Sequence, residues 1–502
     1  MNAGKQAESG KKLVEEYLSK RFGLPDILSM IIEGKSISFD GFDWITTIAK
    51  VKKTLDIDII FEFDIIPHPT NVNQKEFKFG KPASEAVTSE KIKKYIDFLH
   101  PYSNDDVIDG LAKRILKIDK KFTTMLSHKM NDATDANMLD GRKQALNFVE
   151  IILNKPAQTD IENRLIIWNE DSRKYFDDVN DFISSASKTD VALYIWWKIV
   201  NEMVNLIEDH YDVSSQHLSA HCANEVNELM GIIMSYAIAQ PDFHSATKPI
   251  VQRMMDEIRS SFHDLVEKSD WLSDETKARI LEKSQAMKMN VGFPEWIFND
   301  TQTNAYFGHI KFNENSFLEN IIRLRGSRMN RKLNSLTSTD DMDWGMMPTE
   351  VNAKNDYPTN TMTIPQAILQ FPFYNLGLEA LNFGATDLGH EFMHGFDSIG
   401  IQYDKDGNWN VGWLGIGDEY NKRAECLIDQ YNGFSMPNMN DHKWCYSMDT
   451  KDQSVEDTIR NDVHSPNESR VNGVVANMKE FQQAFKCSTE SKMVSKKVCQ
   501  VW

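Results

Sequence analysis

Residues 390 to 394 read His390-Glu391-Phe392-Met393-His394. On a helix, residues four apart stand one turn apart on the same face. Two imidazoles so placed can meet one metal ion, with Zn–N distances of about 2.0–2.1 Å. Zinc lowers the pKa of bound water to roughly 7, and a neighbouring carboxylate, here Glu391, takes its proton as the water attacks a peptide carbonyl. The pentapeptide thus offers two ligands and a general base, and no third ligand. Working outward, Leu388, Phe392 and Phe396 fall on one stripe of the helical wheel, and His390, His394 and Asp397 on the opposite side. Such a helix buries one face and floors a cleft with the other. Asp397 is placed to orient a ligand imidazole from behind.

The 502 residues exceed one small core, and two or three domains are expected. Lys and Arg number 56 against 74 Asp and Glu, a net charge of −18. That balance argues against nucleic acid or an anionic membrane as the main partner. Met1 to Pro25 carry no apolar signal core, and Val191–Trp197 is far shorter than the roughly 18 residues of a membrane span. The sequence as it stands therefore shows no signal peptide and no transmembrane segment. Of the five cysteines, Cys222, Cys426, Cys445, Cys487 and Cys499, four lie near the C-terminus, and two glycosylation sequons start at Asn299 and Asn467. Both features lean toward an oxidising compartment and a glycoprotein.

Residues 1 to about 290 read mostly helical, with apolar residues at helical spacing over Ser89–Leu99, Asp105–Leu126, Asp171–Ser184 and Thr247–Val266. Ser273 is placed to cap a further helix. Asn299 to Thr303 reads as a polar junction, and Phe312 to Leu336 as helix again. Val351–Ala353 and Thr361–Ile364 read as two short strands joined by a turn around Pro358. The metal helix is expected from about Asp387 to Phe396 and a second helix over Glu419–Tyr431, with the last 40 residues irregular.

Several segments together resemble the neprilysin family of zinc metallopeptidases, which includes endothelin-converting enzymes. They are Val351-Asn-Ala353, Ile364-Pro-Gln-Ala-Ile-Leu-Gln-Phe-Pro-Phe373, Leu381-Asn-Phe-Gly384, Gly389-His-Glu-Phe-Met-His-Gly-Phe-Asp397, Asp462-Val-His-Ser-Pro466, Arg470-Val-Asn-Gly473 and Cys499-Gln-Val-Trp502. The resemblance implies a mainly α (α+β) fold of two helical lobes. The C-terminal lobe is thermolysin-like, with a short edge sheet and a zinc helix. It implies an N-terminal, cavity-covering domain over 1–290, a helical connector over 291–348 and a zinc metallopeptidase domain over 349–502. One Zn2+ per chain is expected on His390 and His394, with Glu391 as catalytic base and His464 stabilising the oxyanion. Asn352, Ala353 and Arg470 are expected to bind substrate, and Cys426 to bond Cys499. The implied substrates are oligopeptides, cut on the amino side of bulky hydrophobic residues. The implied location is extracellular or at the cell surface.

The family's third ligand is the Glu of a Glu-Asn-Ile-Ala-Asp helix well downstream of the histidines, and no such segment is found. Only nine residues separate Phe434 from Trp444, where the family has a far longer stretch. Glu425 has the Glu-x-x-x-Asp spacing to Asp429, but the resemblance assigns that helix to the disulfide cysteine Cys426. Three readings stay open: an active zinc endopeptidase, a catalytically impaired pseudopeptidase, and an incomplete gene model lacking the third zinc ligand.

Overall fold

The computed structural model describes residues 11–24, 27, 32, 42–83, 87–101, 104–127, 138–154, 166–167, 170–212, 218–238, 243–308, 310–337, 344–374, 383–384, 387–433, 467–491 and 493–502. The fold is mainly helical, as the sequence implies. Contacts divide the chain into two compact units, the first made of Met1–Val251 and Met289–Asn382, the second of Gln252–Lys288 and Phe383–Trp502.

The first unit holds α1 (Trp44–Leu55), β1 (Glu62–His68), β2 (Asn71–Gly80), α2 (Ser89–Leu99), α3 (Asp105–Ser127), α4 (Met138–Leu153), β3 (Ile166–Ile167), α5 (Glu170–Ser185), α6 (Lys188–Asp212) and α7 (Leu218–Ile238). The run Val191–Trp197 lies in α6 and is buried on every side of it, so α6 is the axis of this core. Helical spacing located α2 to the residue, because its apolar positions Ile92, Tyr95, Ile96 and Leu99 all point inward. The β1–β2 hairpin departs from the helical reading of this region. Its strands pair antiparallel from Glu62↔Gly80 to His68↔Asn71. Phe61, Phe63 and Phe79 then pack edge-on or tilted against Phe148 at ring distances of 4.9–5.8 Å. Aromatic burial, an interaction between distant residues, decides that element.

The chain continues through α8 (Phe243–Lys268), α9 (Asp274–Ala286), β4 (Lys288–Gly292), α10 (Asp300–Tyr306), α11 (Phe317–Asn334), β5 (Lys354–Asp356) and β6 (Thr361–Pro365). Ser273 does cap α9, its hydroxyl accepting from Thr276 N at 3.2 Å. Asn299, expected in a junction, caps α10 by accepting from Gln302 N. The second small sheet has the order β4-β6-β5, so β5 is an edge strand. The first strand expected at Val351–Ala353 begins at Lys354 instead, and Asn360, at φ 46°, closes the turn into β6.

The second unit completes the chain with α12 (Gly389–His394), α13 (Gly417–Asn432), α14 (Asn467–Ala476) and α15 (Lys479–Ala484). The last two replace the irregular tail expected there. Residues 252–288 join the second unit, and the sheet β4-β6-β5 falls in the first. The reason lies in side chains of α8 and α9. Phe262 packs on Phe392 at 5.2 Å and on Phe396 at 4.5 Å, and Thr276 Oγ1 donates to Leu414 O. Trp502 closes this core, 5.9 Å from both Phe262 and Trp271, with its Nε1–H donated to Phe396 O at 3.1 Å. Cys426 on α13 is bonded to Cys499. Cys487 is free, while Cys445 and the side chain of Cys222 lie outside the described residues.

Candidate metal centre

The helix α12 is short, and its burial pattern aims it. Leu388, Phe392 and Phe396 are 0%, 0% and 1% exposed, so the apolar stripe forms the floor of the second unit's core. His390 and His394 are thereby turned to the half-open side. Their Nε2 atoms stand 3.1 Å apart, with the rings at 84° to one another. Glu391 is 8% exposed, and one ligand atom from each of His390, Glu391 and His394 lies within 4.8 Å of the others.

This donor set fits zinc. A tetrahedral ion with Zn–N bonds of about 2.0–2.1 Å holds two nitrogen donors roughly 3.3 Å apart, close to the spacing that α12 imposes. The tautomer also fits. His394 Nδ1 lies 2.7 Å from Asp397 Oδ2, so the imidazole places its proton on Nδ1 and leaves the Nε2 lone pair toward His390. The hydrogen bond to Asp397 raises the His394 pKa, against the effect of burial, and Glu391 adds to the rise. Burial works against ionisation of Asp397, but the His394 imidazole and the amides of Gly400 and Ile399 outweigh it and hold the carboxyl below its ordinary value. Those amides donate to Oδ1 at 2.7 and 2.9 Å. The carboxylate is thus fixed at both oxygens.

Glu425 is exposed on α13 and stands outside the His390–Glu391–His394 group. Among the described residues, no further His, Cys, Asp or Glu joins that group. Asn352 and Ala353 precede the edge strand β5 in the first unit, and the side-chain Oδ1 of Asn352 accepts from Ala353 N at 3.0 Å. Arg470 is exposed on α14, where its charge acts on Tyr431 of α13. The motif around it has a steric basis, since a Cβ on Gly473 would fall 2.7 Å from the Tyr431 hydroxyl. His464 and the whole interval 434–466, with the suspected gap, lie outside the described residues.

Sequence reasoning missed Lys283, Phe262 and Trp502 as supports of α12. Lys283 did carry a signal. It shares the inward stripe of α9 with Thr276, Ile280 and Ser284, an unusual place for a charge. Its Nζ donates to Gly400 O at 2.6 Å and to Tyr403 O at 2.7 Å.

Models of peptidase family M13 match residues 1–294 and, for the second part of the family, residues 352–444 and 440–501. The chain belongs to peptidase family M13. It is 23% identical over 453 residues to an endothelin-converting enzyme homolog of Locusta migratoria, covering 74% of this chain and 62% of that protein. It is 27% identical over 340 residues to neprilysin-3 of Drosophila melanogaster, covering 56% of this chain and 43% of that one. The chain therefore spans less than two thirds of these M13 relatives. Among solved structures, PepO from Lactobacillus rhamnosis superposes with a TM-score of 0.68 at 17% identity, covering 99% of this chain and 90% of that one. The zinc metalloprotease Zmp1 of Mycobacterium tuberculosis, in complex with an inhibitor, gives 0.65 at 17% identity, covering 99% and 92%. At these identities the structures speak for the M13 fold alone. Among the described residues, no helix is long and apolar enough to cross a membrane.

Proposed function

We propose that the chain carries a neprilysin-type zinc metalloendopeptidase site, acting on oligopeptides on the amino side of bulky hydrophobic residues, outside the cell or at its surface. The observation that carries this reading is the juxtaposition of His390, Glu391 and His394 on α12, with Asp397 behind His394. A zinc ion on the two histidines supplies Lewis-acid polarisation and acidified water. Glu391 accepts the proton of the attacking water and delivers it to the leaving amine. Asp397 keeps the His394 lone pair directed outward. Asn352 and Ala353, at the start of an edge strand, offer backbone groups for an extended peptide. Arg470 and His464 take the substrate-binding and oxyanion roles that the family pattern suggests.

The test is Glu391→Gln in the full chain, assayed on a short peptide with an internal Phe or Leu and by elemental analysis. Zinc content should stay unchanged, while cleavage falls by about 10²–10⁴-fold, the usual worth of a general base. Cleavage that survives the substitution assigns the chemistry elsewhere.

One observation favours the second reading, a catalytically impaired member or an incomplete gene model. The M13 model meets the chain in two pieces that overlap at 440–444, inside the interval where the third-ligand helix is missing. A wild-type chain that neither binds zinc tightly nor cleaves the peptide, and gains both when a Glu-x-x-x-Asp helix is inserted between Phe434 and Trp444, supports it.

A further inference from the structure

We propose that Lys283 is a positioning residue for the metal centre, acting through the Gly400 turn to hold Asp397 and so the tautomer and aim of His394. The proposal rests on the reading of His390 and His394 as a metal site.

The argument runs through one residue, Gly400, which faces three ways. Its amide donates to Asp397 Oδ1 at 2.7 Å. Its carbonyl accepts from Lys283 Nζ at 2.6 Å. On its remaining side it is pressed against α12. A Cβ built there would collide with the His394 carbonyl oxygen and fall 2.6 Å from the Gly395 carbonyl carbon. No side chain fits, so only a glycine lets the turn approach α12 closely enough for its amide to reach Asp397. Close approach, however, does not by itself hold a turn in place. The turn is closed by Tyr403 N donating to Gly400 O at 3.0 Å, and Lys283 ties it to α9 by donating to the carbonyls of Gly400 and Tyr403 at its two ends.

Lys283 is 2% exposed, with its ammonium 5.6 Å over the Phe396 ring. Its two carbonyl acceptors match even the two N–H groups of a neutral amine, so the clamp does not depend on the charge. Without the lysine, Gly400 O keeps the bond from Tyr403 N but loses its second donor, and Tyr403 O loses the donation from Lys283, a cost for carbonyls turned away from water. Removal of the lysine therefore favours rearrangement of residues 400–403, which draws the Gly400 and Ile399 amides off Asp397. The carboxylate is then free to turn, and His394 loses its fixed Nδ1 proton. Partners of this kind behind metal ligands are typically worth 10–100-fold in metal affinity.

The test compares wild type, Lys283→Met and Ile280→Ala in the full chain. Ile280 is fully buried on the same helix and touches neither carbonyl in the hydrogen-bond pattern, so its truncation controls for general loss of stability. Zinc affinity is read by chelator competition. The His394 tautomer is read from imidazole ¹⁵N shifts in the zinc-free protein. The expected result is about a 10-fold loss of affinity in Lys283→Met, at the lower end of the usual range, with mixing of the two His394 tautomers. Ile280→Ala should keep both properties while losing thermal stability. Unchanged affinity with an unchanged tautomer in Lys283→Met overturns the proposal, as does an equal loss in Ile280→Ala. Should Lys283→Met not fold, Lys283→Gln, with two N–H donors on a shorter stem, is judged by the same criteria. A wild-type chain that takes up no zinc refutes the metal reading instead, and the tautomer of the zinc-free protein then decides the role of Lys283.

Discussion

Removal of the Cys426–Cys499 bond, by the double substitution Cys426→Ser/Cys499→Ser, isolates what a covalent staple contributes to the unit that carries α12. The two cysteines are 73 residues apart in sequence. Chain entropy assigns a cross-link closing such a loop about 4 kcal/mol, through restriction of the unfolded chain. The native side should change little, because hydrogen bonds hold the tail independently. Cys499 N donates to Asn477 Oδ1 at 2.7 Å, Ser495 N to Ala476 O at 3.1 Å, and Gln430 Nε2 to Ser495 Oγ at 3.0 Å. Against a typical total of about 5–15 kcal/mol, a loss of about 4 is large. For a unit of roughly 150–250 residues, each kcal/mol shifts the melting midpoint by about 2–4 °C, so a fall of about 8–16 °C is expected. Scanning calorimetry of the oxidised wild type, the reduced wild type and the double variant measures it, and both cystine-free forms should fall together. Cys487→Ser, which alters a free thiol, should leave the midpoint within about a degree, as surface substitutions usually do. A shift below about 1 kcal/mol in the double variant, or peptide mapping that joins Cys426 to another cysteine, refutes the reasoning.

Asp397→Ala should weaken zinc binding by about 10–100-fold while leaving the fold intact, read by chelator competition beside circular dichroism; unaltered affinity would sink the role given to that carboxylate. Phe392→Ala empties a fully buried site packed on Phe262 and should cost about 3–5 kcal/mol in urea denaturation, and a cost below about 1 would mean that α12 does not rest on this core. Burial pushes the Lys283 pKa down to about 7, against the pull of Asp397 and Asp404, whereas an unfolded lysine titrates near about 10.4. Between those values the unfolded chain binds the extra proton, so this group makes stability rise with pH from about 7 to 10, by up to about 1.4 kcal/mol per pH unit. Below pH 7 the cost of the buried charge is fully present. Denaturation midpoints at pH 7 and pH 9 in the presence of a chelator should therefore rise more in wild type than in Lys283→Met, and equal slopes in the two proteins would contradict the assignment.

The sequence by itself determined what depends on near neighbours along the chain. The period of Ile92, Tyr95, Ile96 and Leu99 marks a helix, Ser273 caps the next turn, and four-residue spacing puts His390 and His394 on one face with Asp397 beyond them. Helical hydrogen bonds and caps close over three or four residues, so their code is local. The chemistry of the candidate site was legible for the same reason, since one turn of helix supplies both imidazoles and the carboxylate between them.

Tertiary structure alone decided the rest. The pairing of Glu62 with Gly80 and the edge-on and tilted packing of Phe61, Phe63 and Phe79 against Phe148 set a hairpin within a region read as mostly helical. Phe262, Lys283 and Trp502 come from segments far from α12 in sequence, and the Lys283–Gly400 contact spans 117 residues. Contacts of this kind form only when distant apolar faces are buried together. Their energy resides in shared area and in donors matched to particular carbonyls, and neither quantity is written in the spacing of residues along one strand or helix.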